Sequence, residues 1–214
     1  MTVLITGANR GIGSALLSRY KARNENVLGT ARNGAPYLTL DVTKPSDFVQ
    51  MKHDLGDTPI DLLICNAGVY LDKGQNLETG FAADLWAQTF AANVTGAFQT
   101  IQTLLPNLRA APAAKIAIIS SQMASHTRAP GGSYIYRASK AAALNLGRNL
   151  ATDLKDDGIA VGIYHPGWVK TDMGGSEADI TLDQSADGLV ARFDELSMET
   201  TGCFRTWNGL DHAY

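Results

Sequence analysis

The chain has no excess of one charge. Its 18 Lys and Arg stand against 21 Asp and Glu in 214 residues, for a formal net charge of −3. A protein that holds a polyanion gathers cations on one face, so nucleic acid and acidic membrane surfaces are set aside as partners. Cysteine is scarce. Cys65 and Cys203 are the only two, too few for a disulfide framework, which fits a reducing, cytoplasmic setting. The four histidines, His53, His126, His165 and His212, lack metal-ligand spacing, and no metal site is expected. No apolar run approaches the roughly 20 residues of a membrane span, and the opening MTVLITG is too short for a signal peptide. Repeats, low-complexity tracts and long linkers are missing as well. What is present is ordinary globular composition, 45% hydrophobic and 18% charged. That suits one domain over residues 1–214, burying roughly 70% or more of its unfolded surface.

Apolar runs alternate with helical patterns along the chain. TVLIT, NVLGTA, YLTL, IDLLIC, KIAIIS, GIAVGIYH and GCFRTW read as strands. Between them, SALLSRYKARN, Pro45 to Asp54, Asp84 to Leu108 (running through Gly96), Ser133 to Leu154 and Asp183 to Leu196 read as helices. Thr43 is the expected N-cap of the second helix, with Pro45 in its first turn. Most strands are apolar throughout, which marks a parallel sheet covered on both faces. The fold class expected is α/β: a doubly wound sheet of about seven strands with helices on both sides.

TGANRGIG follows the first strand and opens the first helix. Its glycines, Gly7, Gly11 and Gly13, permit a tight turn and close approach of backbone to a ligand. The free N–H groups of the helix start favour a pyrophosphate there. The second strand ends in GTARN, where an acidic residue would bind a ribose 2′-hydroxyl. This chain instead has Arg32, with Arg10 in the glycine loop, and paired guanidinium bonds suit a 2′-phosphate. NADP(H) is therefore favoured over NAD(H). Asp41, closing the third strand, either meets the adenine amino group or caps its own loop.

YIYRASKAAALN carries two tyrosines ahead of Lys140. Tyr136 precedes the lysine by four positions and so shares its helix face, roughly 5–6 Å away at Cβ. Tyr134 points elsewhere, to a pocket wall or to packing. A free tyrosine ionises near pH 10, and a close lysine is expected to lower that value and make the phenol a proton donor and acceptor. Ser120 and Ser121 end a buried strand at the edge where such sheets bind ligands. A serine hydroxyl there stabilises charge developing on a substrate oxygen.

Together these residues resemble the short-chain dehydrogenase/reductase family, in order and over nearly the whole chain. TGANRGIG, with Asn9 and Ile12, is similar to its cofactor motif. CNAG, with Asn66, Ala67 and Gly68, resembles the segment that steadies the sheet and lines the adenine side, near Val42. Asn93 resembles the helix asparagine that holds a proton-relay water. Ser121, Tyr136 and Lys140 match the catalytic set. HPGWVKTDM resembles the loop whose Pro166, Gly167, Val169 and Thr171 meet the nicotinamide end. The wording GGSYIYRASKAAALN looks like the branch of sniffer-type carbonyl reductases and C-factor signalling proteins. The resemblance implies a Rossmann domain and hydride transfer between NADP(H) and a small-molecule carbonyl or alcohol. Tyr136 would act as acid/base, Ser121 orient the carbonyl and Lys140 bind the nicotinamide ribose. A homodimer or homotetramer is also implied. The alternative is a nucleotide-binding signalling protein of the C-factor kind, with secondary redox activity.

Three departures from the family pattern carry expectations of their own. Ser121 and Tyr136 are spaced a little wide, so their loop must bulge. Only NGAP separates the second and third strands, too short for a crossover helix. After Thr171, DMGGSEADIT leads almost directly into the next helix, so a lightly covered pocket with a mobile edge is expected. Trp168 and Met173 are candidates for its wall. His126, His165, His53 and His212 are left without chemical roles.

Overall fold

The computed structural model describes residues 1–214. Seven strands form one sheet: β1 (Thr2–Ile5), β2 (Asn26–Ala31), β3 (Leu38–Thr39), β4 (Leu62–Cys65), β5 (Lys115–Ile119), β6 (Ala160–His165) and β7 (Phe204–Thr206). All pairings are parallel, in the order β3-β2-β1-β4-β5-β6-β7. The order reverses between β1 and β4, so the loops leaving those strands diverge and open a crevice at their C-terminal ends.

The apolar strands serve two cores because successive side chains face opposite sides. Leu4, Leu63, Ile116 and Ile118 enter one layer with Met51, Ile101 and Leu104. Val3, Ile5, Ile64 and Ala117 enter the other with Leu16, Tyr20, Leu189 and Phe193. Helices α1 (Gly11–Ala22) and α6 (Leu182–Glu195) cover the second layer. Helices α2 (Pro45–Leu55) and α4 (Gly96–Arg109) cover the first, joined by the C-terminal part of α5 (Tyr134–Asp153). No helix is long and apolar enough to cross a membrane.

Four local features bear on the site. First, the long helix expected from Asp84 is α3 (Ala83–Phe90) joined to α4 through one widened turn, Ala91–Thr95. Such π-turns are frequent at functional sites, and this one carries Asn93, 3% exposed. Second, no helix lies between β2 and β3, and β3 pairs only through Leu38 and Thr39. Third, the residue capping α2 is Lys44, without a side-chain bond. The expected cap, Thr43, instead donates its hydroxyl to Asp41 Oδ1 at 2.7 Å. The nearby carboxylate outcompetes the helix for that hydroxyl.

Fourth, the loop from Ser121 to Tyr136 turns through three consecutive left-handed residues: Gly131 (φ +83°), Gly132 (φ +69°) and Ser133 (φ +49°). That turn takes up the long serine–tyrosine spacing. The segment after Thr171, expected to be mobile, is tied down. The Ile180 amide donates to the Trp168 carbonyl (3.1 Å) and its carbonyl accepts from the Lys170 amide (3.0 Å), either side of a short bridge to Val169, and Trp168 Nε1 donates to the Gly174 carbonyl at 2.9 Å. That bond keeps the exposed Trp168 outside the crevice, whereas Met173 does line it.

Candidate active site

The crevice is a cleft of about 850 Å³ along the C-terminal edge of the sheet. Its floor at β1 is the glycine turn. Gly7 sits at φ +65°, open to glycine and closed to most other residues. Asn66 holds the turn, donating from Nδ2 to the carbonyls of Thr6 (2.9 Å) and Gly7 (3.1 Å). The Thr6 hydroxyl accepts from the amides of Asn66 and Ala67, both at 3.0 Å. A Cβ on Gly13 would overlap the Gly7 carbonyl oxygen and lie 2.6 Å from Asn66 Nδ2. Gly13 therefore packs helix against turn and does not reach the cleft surface, and Gly11 also lies off that surface.

The start of α1 fits a phosphate. First-turn amides of a helix have no intrahelical acceptor. Here the capping residue, Arg10, gives no side-chain bond, leaving donors at the positive end of the helix dipole. Gly7, Asn9, Arg10 and Ile12 line the cleft at this point. At its far end stand Arg32, Asp41 and Val42. Partial burial works to raise the Asp41 pKa, but bonds from the Thr43 hydroxyl and amide, helped by Lys44 and Arg32, hold it below the usual value. Asp41 therefore caps its own loop. Arg32 has no ion-pair partner, whereas Arg10 reaches Asp172 at 3.3 Å.

Tyr136 and Lys140 lie on one face of α5 and both line the cleft. Lys140 Nζ is 5.6 Å from the centre of the Tyr136 ring and donates to the Ile119 carbonyl at 3.0 Å. Burial pushes the lysine down to about 8. Burial also pushes the phenol up, with Ser121 acting against it and Tyr70 and Asp72 adding to it. The expected lowering of the Tyr136 pKa by Lys140 is thus absent in this arrangement. The lysine spends a proton on a backbone carbonyl, and desolvation of the phenolate outweighs its attraction.

Of the serine pair, Ser120 donates its hydroxyl to the Lys140 carbonyl at 3.1 Å. The Ser121 hydroxyl accepts from the Met123 amide at 3.1 Å and acts to lower the pKa of Tyr136; of the two serines, Ser120 lines the cleft surface. Asn93 is fully engaged: Oδ1 accepts from the Val69 amide (2.8 Å), and Nδ2 donates to the Val69 carbonyl and Ser139 Oγ (2.9 Å each). It braces the cleft from behind. Pro166 and Thr171 line the cleft. Gly167 and Val169 lie beneath that surface, Gly167 at φ +89° against Ile180 and Trp207. Tyr134 turns away and meets Phe81 edge-on.

Two residues gave no signal in the sequence. The Tyr70 ring stacks on Tyr136 with centroids 4.3 Å apart, and its hydroxyl bonds Ser133. Asp72, 1% exposed, accepts from the amides of Ile135 (2.9 Å) and Tyr136 (3.2 Å). Both contacts span more than sixty positions, beyond the reach of any local pattern. Among the histidines, His165 is buried at the end of β6, and that burial, then His212 and Arg128, pushes it down to about 4.

Comparison with known proteins gives the same reading of kinship as the motifs. Residues 1–180 match the family model described as short chain dehydrogenase. The C-signal protein of Myxococcus xanthus is 37% identical over 156 residues, covering 72% of this chain and 92% of that one. The 1-hydroxy-2-glutathionyl-2-methyl-3-butene dehydrogenase of Rhodococcus sp. (strain AD45) is 33% identical over 225 residues, covering 97% of each. Among solved structures, NADPH-bound carbonyl reductase from chicken fatty liver matches with TM-score 0.89 and 29% identity, over 100% of this chain and 98% of that one. Carbonyl reductase Sniffer of D. melanogaster matches with TM-score 0.90 and 26% identity, over 100% and 99%. By family match, by relatives and by fold, this chain belongs to the short-chain dehydrogenase/reductase family of oxidoreductases.

Proposed function

We propose that the protein is an NADP(H)-dependent reductase of small-molecule carbonyl compounds, with Tyr136 as the proton donor. The observation that carries this is the meeting of Tyr136 and Lys140 on the wall of a cleft whose other end is an uncapped helix start. Bound in that cleft, a reduced nicotinamide supplies hydride to the carbonyl carbon. The amides of the first turn of α1 hold the pyrophosphate, and Arg32 takes the 2′-phosphate. Pro166 and Thr171 border the nicotinamide end.

Ser121 hydrogen-bonds the carbonyl oxygen and keeps it within reach of the phenol. As hydride adds to carbon, the π pair of C=O moves to oxygen, and that oxygen takes the Tyr136 proton. Water then returns a proton to the phenolate. The phenol, protonated at neutral pH by its ordinary value and held more firmly so by burial, enters the reaction as the proton donor. Lys140 stays on the Ile119 carbonyl and offers its remaining N–H bonds to the ribose side.

The test is consumption of NADPH with a panel of aldehydes, ketones and quinones, beside Tyr136→Phe. Loss of a positioned general acid costs roughly 10²–10⁴-fold in rate, and that loss is expected with NADPH binding retained. A second reading, a signalling protein whose redox chemistry is secondary, draws on the 37% identity to C-signal. It prevails if wild type and Tyr136→Phe turn over every carbonyl alike while both bind NADPH.

A further inference from the structure

Helix α5 begins without a cap of its own. Ser133, at its N-cap, is left-handed and makes no side-chain bond to the helix, since its hydroxyl is taken by Tyr70. First-turn amides left without acceptors in a buried place destabilise the fold. The acceptor comes from another part of the chain. Asp72, in the loop after β4, sends Oδ2 to the Ile135 amide at 2.9 Å and Oδ1 to the Tyr136 amide at 3.2 Å.

The Asp72 side chain makes no ion pair with any Lys, Arg or His. Its neighbour Lys73 is turned to the Met173 carbonyl. A carboxylate 1% exposed and without a cation is held only by amides and by the positive end of α5. One of those two amides belongs to Tyr136 itself.

We infer that Asp72 is a positioning residue for Tyr136: its buried carboxylate caps the helix from outside and fixes the setting at which the phenol faces the cleft. The inference rests on the role of Tyr136 proposed above. The loop that carries Asp72 is itself set from two sides. Asn93 clasps both backbone groups of Val69, and the Tyr70 ring lies against the Tyr136 ring. Asp72 also has an electrical effect. The groups facing Tyr136 are Ser121 beyond β5, Lys140 on its own helix, and Tyr70 and Asp72 on the loop after β4. The positive end of α5 favours the phenolate. Burial is the main cause that keeps the proton on oxygen, and the Asp72 carboxylate, after Tyr70, adds to it.

The experiment compares wild type with Asp72→Asn, Asp72→Ala and Tyr136→Phe, each full length. Folded fraction is taken from circular dichroism, and NADPH-dependent carbonyl reduction is followed across pH. Asp72→Ala should lower kcat by roughly tenfold or more, the scale of a misplaced catalytic group, with KM for NADPH within about twofold of wild type. Asp72→Asn keeps an oxygen acceptor and should recover part of kcat. Having lost the charge, it should also lose activity at a lower alkaline pH than wild type does. An alkaline limb that coincides in Asp72→Asn and wild type overturns the inference, as do losses of kcat that merely follow the folded fraction. If wild type reduces no carbonyl, the proposed function fails by itself. The inference is then read from the Tyr136 ring resonance in 13C-tyrosine NMR, identified against Tyr136→Phe. Its alkaline midpoint moves down in Asp72→Asn if the carboxylate acts as stated, and an unmoved midpoint overturns it.

Discussion

Replacing Asn93 with alanine separates a brace from a relay. The Asn93 amide makes three bonds, two to the backbone of Val69 and one to Ser139, and it is 3% exposed. In Asn93→Ala the Val69 N–H and C=O lose their side-chain partner at a half-buried position on the cleft wall. Ser139 is spared, because its hydroxyl also donates to the Tyr136 carbonyl at 2.8 Å. At the lower end of about 1–3 kcal/mol for each unpaired group, as befits half-buried ones, the loss is about 2 kcal/mol. For a chain of this size that lowers the midpoint of thermal unfolding by roughly 4–8 °C.

Asn107 supplies the control. It is equally buried, and its Nδ2 donates to the carbonyls of Gly56 (2.8 Å) and Thr58 (2.9 Å), outside the cleft. Scanning calorimetry should show both Asn93→Ala and Asn107→Ala destabilised. Only Asn93→Ala should lose NADPH-dependent turnover at a temperature where both are folded, because only Val69 leads on to Tyr70, Asp72 and Tyr136. An Asn93→Ala protein that melts within about 2 °C of wild type refutes the account of its bonds. Equal loss of turnover in the two variants refutes the link to the site.

Lys140→Met tests the buried lysine through pH. Burial holds its folded pKa at about 8, below the ordinary lysine value of 10.5, so between those values the unfolded chain binds a proton that the folded one does not. The lysine therefore makes stability rise with pH across that window, by roughly 3 kcal/mol in all. From pH 8 to pH 10 the denaturant midpoint of wild type should rise relative to that of Lys140→Met, and parallel curves contradict the burial. Arg32→Asp should weaken NADPH and relatively favour NADH in fluorescence titrations, and an unchanged preference removes Arg32 from 2′-phosphate binding. Gly13→Ala should cost about 1–3 kcal/mol through overpacking against the Gly7 turn. It should also weaken NADPH binding, and a variant of wild-type affinity shows that the turn tolerates displacement.

The sheet was legible because its strands are buried on both faces. Runs such as IDLLIC and KIAIIS admit no solvent-facing side, and the short NGAP link left no room for a helix before β3. The pairing of Tyr136 with Lys140 was legible because helix phase is local. What helix phase leaves open is competition for a side chain. Lys140 was read as a partner for the phenol, yet it settles on a backbone carbonyl, since a buried ammonium takes the nearest strong acceptor. Thr43 was read as a cap and is claimed by Asp41 for the same reason. The segment after Thr171 was read as loose because it is small and glycine-bearing. It is held by Arg10 and Lys73, residues that only the folded sheet brings near, and by the bonds of its own Ile180 to Trp168 and Lys170. Asp72 and Tyr70 act across more than sixty positions, where no spacing rule operates.

Arg10 and Asp172 belong to two loops that border the cleft, 162 positions apart in sequence. Their side chains are 64% and 86% exposed, so water screens them and their attraction is worth at most about 1 kcal/mol. A dinucleotide lying between those loops brings its own negative groups to Arg10, which then exchanges one anion for another. The pair is a weak clasp across the doorway, and the guest that opens it carries the replacement for Asp172.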